Sequence, residues 1–222
     1  METKLYLLDL GGLGEKIDER TFLEWSGMAS EERLNALPRF LFRADAERTL
    51  AGEILARAAL SSAAGVPPSA IRFGRGPYGK PRALARPGVP LPEFNVSHSG
   101  RFVACAVSPQ PVGVDVESVS PPDDAVLRRV CSSGESRFVR SGFLPAPAAF
   151  ALIWTLKESY LKALGTGLCD DLPGIDLAAF VVSTDAEPWI FSFNGHLFRA
   201  FFHNEYAVSV CEKMIAPPDC VR

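Results

Sequence analysis

The run Val112-Gly-Val-Asp-Val-Glu117 sets two carboxylates, Asp115 and Glu117, into an apolar strand pattern. Alternate residues of a strand share a face, so Val112, Val114 and Val116 point one way and Gly113, Asp115 and Glu117 the other. The valines read as a core face. The two carboxylates have Cα atoms roughly 6.6 Å apart, and at an effective dielectric near 20 they repel each other by about 3 kcal/mol. A cation would offset that repulsion. Hard oxygen donors favour Mg²⁺, which takes one or two carboxylates and fills its remaining positions with water and substrate phosphate. The competing reading is an antiparallel strand with one solvated face, and the D-x-E pattern alone does not separate the two.

A third carboxylate comes from a helical run. Apolar residues Ala149, Ile153, Leu156, Tyr160 and Leu164 recur at helical spacing, and Trp154, Glu158 and Lys162 lie opposite them, one turn apart, with Lys157 adjacent. As an exposed pair, Glu158 and Lys162 are worth about 0.2 to 0.5 kcal/mol. Trp154 is costly on a solvated face, which points to a cleft. There a glutamate serves as metal ligand or base, and a lysine stabilises phosphate charge.

Gly74-Arg-Gly-Pro-Tyr-Gly-Lys-Pro81 satisfies G-x-G-x-x-G and nearly satisfies the P-loop pattern. A P-loop needs a hydroxyl after its lysine, where this chain has Pro81, and a dinucleotide fingerprint needs a helix starting in the loop, which the prolines oppose. Lys80 still sits on a rigid loop, and Arg33, Arg39, Arg43 and Arg48 could present further cations to a phosphate-rich ligand. Ser97-His98-Ser99-Gly100, between two strands, reads as a polar turn able to aim N–H groups, hydroxyls and an imidazole at an anion. His196 and His203 carry no motif and read as surface residues.

The elements that hold these groups are predicted as follows. Strands are expected at Lys4–Leu10, Ile71–Phe73, Phe94–Val96, Phe102–Val107 and the Asp115 run. Helices are expected at Asp18–Trp25, Glu31–Leu60 with a break at Pro38, Asp123–Val130, Glu135–Arg140 and Ala148–Leu164, the last ended by Gly165 and Gly167. From Ile175 onward the pattern turns to strands, with Asn194-Gly195 as a hairpin turn between Trp189–Phe193 and Leu197–Phe202, and a last strand at Tyr206–Cys211. The fold class is α+β in two lobes of similar size, 1–110 and 111–222.

Composition narrows the rest. At 222 residues, with 47% hydrophobic and 22% charged content, the chain is long enough to bury a sizeable core. The five cysteines form no CxxC pair and are odd in number, which suggests neither a disulfide framework nor a zinc site. Reduced thiols, the lack of a signal-peptide pattern and the lack of a membrane-length apolar run place the chain in the cytoplasm. The formal charge of −3 argues against a general nucleic-acid binder.

Taken together, Tyr78-Gly-Lys-Pro81, Phe94-Asn-Val-Ser-His-Ser-Gly100, Val112 to Glu117 and Trp154-Thr-Leu-Lys-Glu-Ser-Tyr-Leu-Lys-Ala-Leu-Gly-Thr-Gly167 resemble the Sfp-type 4′-phosphopantetheinyl transferases, and the likeness extends upstream to Asp45–Glu53. The resemblance implies a pseudo-twofold α+β fold and a monomer. It implies transfer of the phosphopantetheine arm of coenzyme A to a serine of an apo acyl or peptidyl carrier protein, with release of adenosine 3′,5′-bisphosphate. It places Mg²⁺ on Asp115, Glu117 and Glu158, and makes Glu158 the base as well. Lys162 would neutralise the leaving phosphate. Lys80, Ser97 and His98 would hold CoA phosphates, with His98 also counted among the catalytic residues, and Thr49 and Arg33 would lie near the 3′-phosphate. Glu135 matches a further acidic position and would give secondary metal or proton support. One departure is Ala36, where many relatives carry a second lysine, so Arg39 could be recruited instead. Segment Ser118–Arg140, with Arg128, Arg129, Arg137 and Arg140, is expected to form part of the carrier-docking surface. A P-loop phosphotransferase and an inactive CoA-binding module are the alternatives.

Overall fold

A computed structural model describes residues 1–13, 17–84, 88–167, 171–182 and 187–215. The chain forms two compact units, Met1–Pro109 and Gln110–Arg222. Among the described residues no helix is long and apolar enough to cross a membrane.

In the first unit, β1 (Lys4–Asp9) is followed by helices α1 (Glu19–Met28), α2 (Glu31–Ala36) and α3 (Arg43–Ala64), then by β2 (Arg72–Arg75), β3 (Pro81–Leu84), β4 (Glu93–Ser99) and β5 (Phe102–Ser108). The predicted long helix is split by a 3₁₀ turn at Leu37–Arg39, as Pro38 requires. Helix α3 ends at Gly65, which takes the left-handed conformation at φ 66°. Strands β1, β5 and β4 form an antiparallel sheet in that order, and α3 packs on it, burying Leu60, Ile71, Phe94 and Val107 in one cluster and Ala51 and Val103 in another. Two corrections arise here. Gly74–Pro81, expected as a loop, belongs to an antiparallel β2–β3 hairpin in which Gly74 and Arg75 pair with Arg82 and Pro81, leaving 76–80 as the turn; Pro81 opens a strand where an edge tolerates its missing N–H. Ser97, His98 and Ser99 belong to β4 and pair with Ala104, Val103 and Phe102, so the turn is only Gly100-Arg101.

The second unit runs β6 (Val112–Ser118), α4 (Asp124–Val130), α5 (Ser133–Arg140), α6 (Ala146–Leu164), α7 (Ala178–Val182), β7 (Trp189–Phe193), β8 (His196–His203) and β9 (Tyr206–Lys213). The sheet order is β6-β9-β8-β7, all antiparallel. The β7–β8 turn is Asn194-Gly195 at φ 47° and 72°, the double positive φ that makes this dipeptide a hairpin signal. The expectation of strands from Ile175 misses α7, which packs on α5 and stacks Phe180 on Phe191. Helix α6 packs on β6 and β9, burying Leu152, Ile153, Leu156 and Tyr160. Leu164 instead stays 44% exposed at the helix end. His196 is not a surface residue: it is buried, with its ring edge-on to Tyr160 at 5.1 Å between centroids. His203 is exposed. Cys105, Cys131 and Cys211 are free and buried, and burial pushes the Cys105 thiol up to about 12 and the Cys131 thiol to about 11, where they are inert as nucleophiles. Cys169 and Cys220 lie outside the described residues.

Candidate active site

Strand β6 is buried on both faces. Val112, Val114 and Val116 are buried as expected, but so are Gly113 and Asp115, because the carboxylate-bearing face is covered by α6 and is not solvated. Gly113 makes this possible. A Cβ there would lie 2.0 Å from the Ser159 carbonyl oxygen and 2.5 Å from the Ala163 nitrogen, so only hydrogen at this position lets the helix backbone come so close. Neighbouring β9 helps. Its residues paired with Gly113, Asp115 and Glu117 are Cys211, Ser209 and Ala207, all small, and the Ser209 hydroxyl ties the sheet to α6 at 2.6 Å from the Thr155 carbonyl oxygen and 2.8 Å from the Ser159 hydroxyl.

This close seat brings the predicted catalytic groups together. Lys162 Nζ lies 2.5 Å from Asp115 Oδ1, and the Asp115 side chain is 2% exposed. Trp154 Nε1 donates to Glu117 Oε1 at 3.4 Å, so the tryptophan does line the acidic face, stacked on Phe150. Glu158 is half-buried between these groups. Its carboxyl is held above the ordinary value of 4.5, first by burial and then by repulsion from Asp115 and Glu117, while Lys162 pulls it down. The arrangement joins a raised-pKa carboxylate, two further carboxylates and one ammonium. Such a group can accept a proton and can balance an incoming phosphate or cation.

Among the described residues no three Asp, Glu, His or Cys side chains converge closely enough to hold a metal ion as they stand. The donor set nevertheless fits a hard divalent cation. All three groups are carboxylates, the charges of Asp115 and Glu117 both act on Glu158, and an ammonium already stands against one of them.

Glu135 is corrected outright. It is fully buried and paired with Lys157 at 2.6 Å, both side chains being 0% exposed. It also closes a capping box with Ser132 at the start of α5 and accepts from Leu177 N at 3.0 Å. It is a structural carboxylate with no access to substrate. Lys157, expected beside the active face, points into the core instead.

In the first unit, Arg33, Thr49 and His98 line one cavity of about 300 Å³, together with Ala36 and the rings of Phe73 and Phe94. His98 shares its strand face with Phe94 and Val96, whereas Ser97 is buried and points to the opposite face. Neither Ser97 nor Lys80 lines the cavity; the Lys80 carbonyl closes the hairpin turn by accepting from Gly76 N at 2.8 Å. Lys80 is followed by β3 and not by a helix, which removes the P-loop alternative. Sequence reasoning missed Glu53. This buried carboxylate on α3 accepts from Ser30 N and Oγ, from Arg33 Nε at 3.3 Å and from Arg57 at 2.8 Å, and so fixes Arg33 at the cavity wall. Its sequence signals were the last position of the Asp45–Glu53 likeness, to which no role was attached, and the Glu53–Arg57 spacing, which is common on exposed helices. Arg43 and Arg48 are engaged by Glu19, Glu47 and Asp45, and neither lines the cavity.

Comparison with known proteins adds a separate line of evidence. A profile described as the 4′-phosphopantetheinyl transferase superfamily matches residues 111–211, and one described as 4′-phosphopantetheinyl transferase, N-terminal, matches residues 18–110. A 4′-phosphopantetheinyl transferase of Bacillus subtilis is 34% identical over 187 residues, covering 82% of this chain and 81% of that protein. The 4′-phosphopantetheinyl transferase Sfp of Bacillus subtilis (strain 168) is 37% identical over 140 residues, covering 63% and 61%. Among solved structures, the Helicobacter pylori holo-[acyl-carrier-protein] synthase in complex with coenzyme A aligns at TM-score 0.38 and 12% identity, over 48% of this chain and 97% of that one.

Proposed function

The chain belongs to the 4′-phosphopantetheinyl transferase superfamily, and we infer that it transfers the phosphopantetheine arm of coenzyme A to a serine of an apo carrier protein, releasing adenosine 3′,5′-bisphosphate. The observation that carries the reading is the seat of α6 on β6, which gathers Asp115, Glu117, Glu158 and Lys162 into one charged cluster.

In the reaction the serine oxygen forms a new bond to phosphorus, the bond from that phosphorus to adenosine bisphosphate breaks, and the serine proton goes to Glu158. A carboxylate whose pKa is raised is a stronger base than an ordinary one, and burial supplies that shift. Asp115, Glu117 and Glu158 would hold Mg²⁺, which when bound supplies positive charge for the pyrophosphate. Lys162 exchanges its Asp115 partner for the leaving phosphate. Glu117 is steadied by the Trp154 indole. Transfer of this kind depends mainly on positioning and charge stabilisation, and the cluster offers both.

The coenzyme A 3′-phosphate is assigned to the first-unit cavity through Arg33 and Thr49, with His98 on the same cavity as a further phosphate contact. Ala36 lines the same cavity without a charge, and the arginines that line it are Arg33, tethered by Glu53, and Arg75. The carrier is assigned to the segment 118–140. Arg128 and Arg129 on α4, and Arg137 and Arg140 on α5, are all exposed, and basic residues at a rim steer an acidic partner mainly through its on-rate.

The test is product analysis with CoA, Mg²⁺ and an apo carrier. Adenosine 3′,5′-bisphosphate should appear in step with modified carrier. CoA binding without release of that nucleotide would make the chain an inactive binding module and overturn the reading.

A further inference from the structure

Two opposite charges with no solvent exposure are an unusual choice for a helix core. Lys157 Nζ donates to the Val130 carbonyl oxygen at 2.7 Å and the Leu172 carbonyl oxygen at 2.8 Å, and pairs with Glu135 Oε2 at 2.6 Å. Three donors therefore meet three acceptors. Glu135 in turn accepts from Ser132 N at 2.8 Å and Leu177 N at 3.0 Å. The pair thus joins α6 to the end of α4, the start of α5 and the segment leading into α7. Stability alone does not explain it, since a buried ion pair adds little over a well-packed apolar pair of similar volume.

What an apolar pair lacks is direction. Leucine or methionine would tolerate a small roll of α6 about its axis, whereas an ammonium fixed by three acceptors does not. Lys157 and Glu158 are consecutive, about 100° apart around the helix. A roll of about 20° would sweep a carboxylate carried some 6 Å from the axis by about 2 Å, and a misplacement of about 1 Å can lower a rate by about 10²-fold. On the opposite side α6 meets Gly113 as backbone against hydrogen, and its directional ties there are the Ser209 hydroxyl at Thr155 and Ser159 and the active-site contacts themselves, so the ion pair is the charged restraint on the side away from the site.

We propose that Lys157 and Glu135 are positioning residues: their buried ion pair sets the roll of α6 and so delivers Glu158 and Lys162 to Asp115. This rests on the reading of Glu158 as the base. The test uses the full chain with three variants, Glu135→Gln/Lys157→Met, the milder Glu135→Asp, and Glu158→Gln as reference, each assayed well below its own Tm. For the double variant we expect kcat at saturating CoA and carrier to fall at least tenfold while KM for CoA stays within about twofold. The indole ¹⁵N–¹H resonance of Trp154, assigned with Trp154→Phe, should shift, since its ring rides on the same helix face. Glu135→Asp keeps the charge but shortens the arm, and should lower kcat several-fold. Wild-type kcat in the folded double variant or, should that not fold, in Glu135→Asp, with Tm alone reduced, would make the pair plain structural glue and overturn the inference. A fully active Glu158→Gln would instead sink the catalytic reading on which the inference rests.

Discussion

Replacing Gly113 by alanine probes the contact on which the active-site geometry depends. The new Cβ would stand 2.0 Å from the Ser159 carbonyl oxygen, 2.5 Å from the Ala163 nitrogen and 2.9 Å from Lys162 Cβ. Two of these atoms are helix backbone, so no change of rotamer relieves the clash, and α6 must retreat by more than ~1 Å to reach ordinary contact near 3.5 Å. Overpacking of this kind costs about 1 to 3 kcal/mol, and in a chain of this length each kcal/mol lowers Tm by about 2 to 4 °C, so a fall of about 2 to 12 °C is expected. Because the same retreat carries Glu158 and Lys162 away from Asp115, kcat should fall about 10²-fold. Thermal unfolding by circular dichroism and steady-state kinetics would be run beside Gly27→Ala, where a Cβ meets nothing within 4 Å and alanine in helix α1 should leave Tm unchanged or raise it by a few degrees. A Gly113→Ala protein with wild-type Tm and kcat would show that α6 does not press on β6, and would refute the geometry.

Glu158→Gln keeps the side chain's shape but removes the base and weakens metal binding, so turnover should collapse with only partial recovery at high Mg²⁺; unchanged turnover would return this helix face to ordinary surface. The same variant tests the raised pKa. A carboxyl whose folded pKa lies above its unfolded value stabilises most below about 4.5, and that contribution is lost as pH rises through the folded pKa. In metal-free buffer the wild type should therefore lose stability relative to Glu158→Gln as pH rises through a value above 4.5, and parallel Tm curves across that range would contradict the assignment. Lys162→Met removes the ammonium 2.5 Å from the buried Asp115, so both kcat and metal-free Tm should fall, with added Mg²⁺ restoring Tm more than kcat; an unchanged Tm would show the pair to be energetically idle. Reversing charge at Arg128 and Arg129 should raise KM for an acidic carrier and flatten its salt dependence while leaving KM for CoA alone, and an unaltered carrier KM would remove α4 from the docking surface.

Much of this site was legible because its signals are local. The D-x-E strand and the Trp154, Glu158, Lys162 face each follow from one periodicity, and both faces prove to meet. What the pattern alone left open was that α6 covers the carboxylate face of β6. Gly113 carried that information as a lone glycine inside a valine strand, the mark of a close backbone approach. Other misreadings share one cause: burial set by distant partners. Lys157 looks like a surface lysine until Glu135, 22 positions earlier, is seen beside it, and His196 looks exposed until Tyr160 packs on it. Ser97 to Ser99 read as a turn, whereas β4 runs on through Ser99 and the turn begins at Gly100, so these residues present alternate faces of a strand. Residues Ala178–Val182, apolar and short, could not be told from a strand by periodicity.

The central claim is covalent transfer from coenzyme A to a carrier serine. Intact-mass spectrometry of a panel of apo carriers, each incubated with the protein, CoA and Mg²⁺, measures it directly. At least one carrier should gain the mass of a single phosphopantetheine, and should fail to gain it when its acceptor serine is replaced by alanine or when Glu158→Gln is used as the enzyme. A broad panel of acyl and peptidyl carriers left entirely unmodified, with the wild-type protein folded and CoA and Mg²⁺ present, would contradict the account.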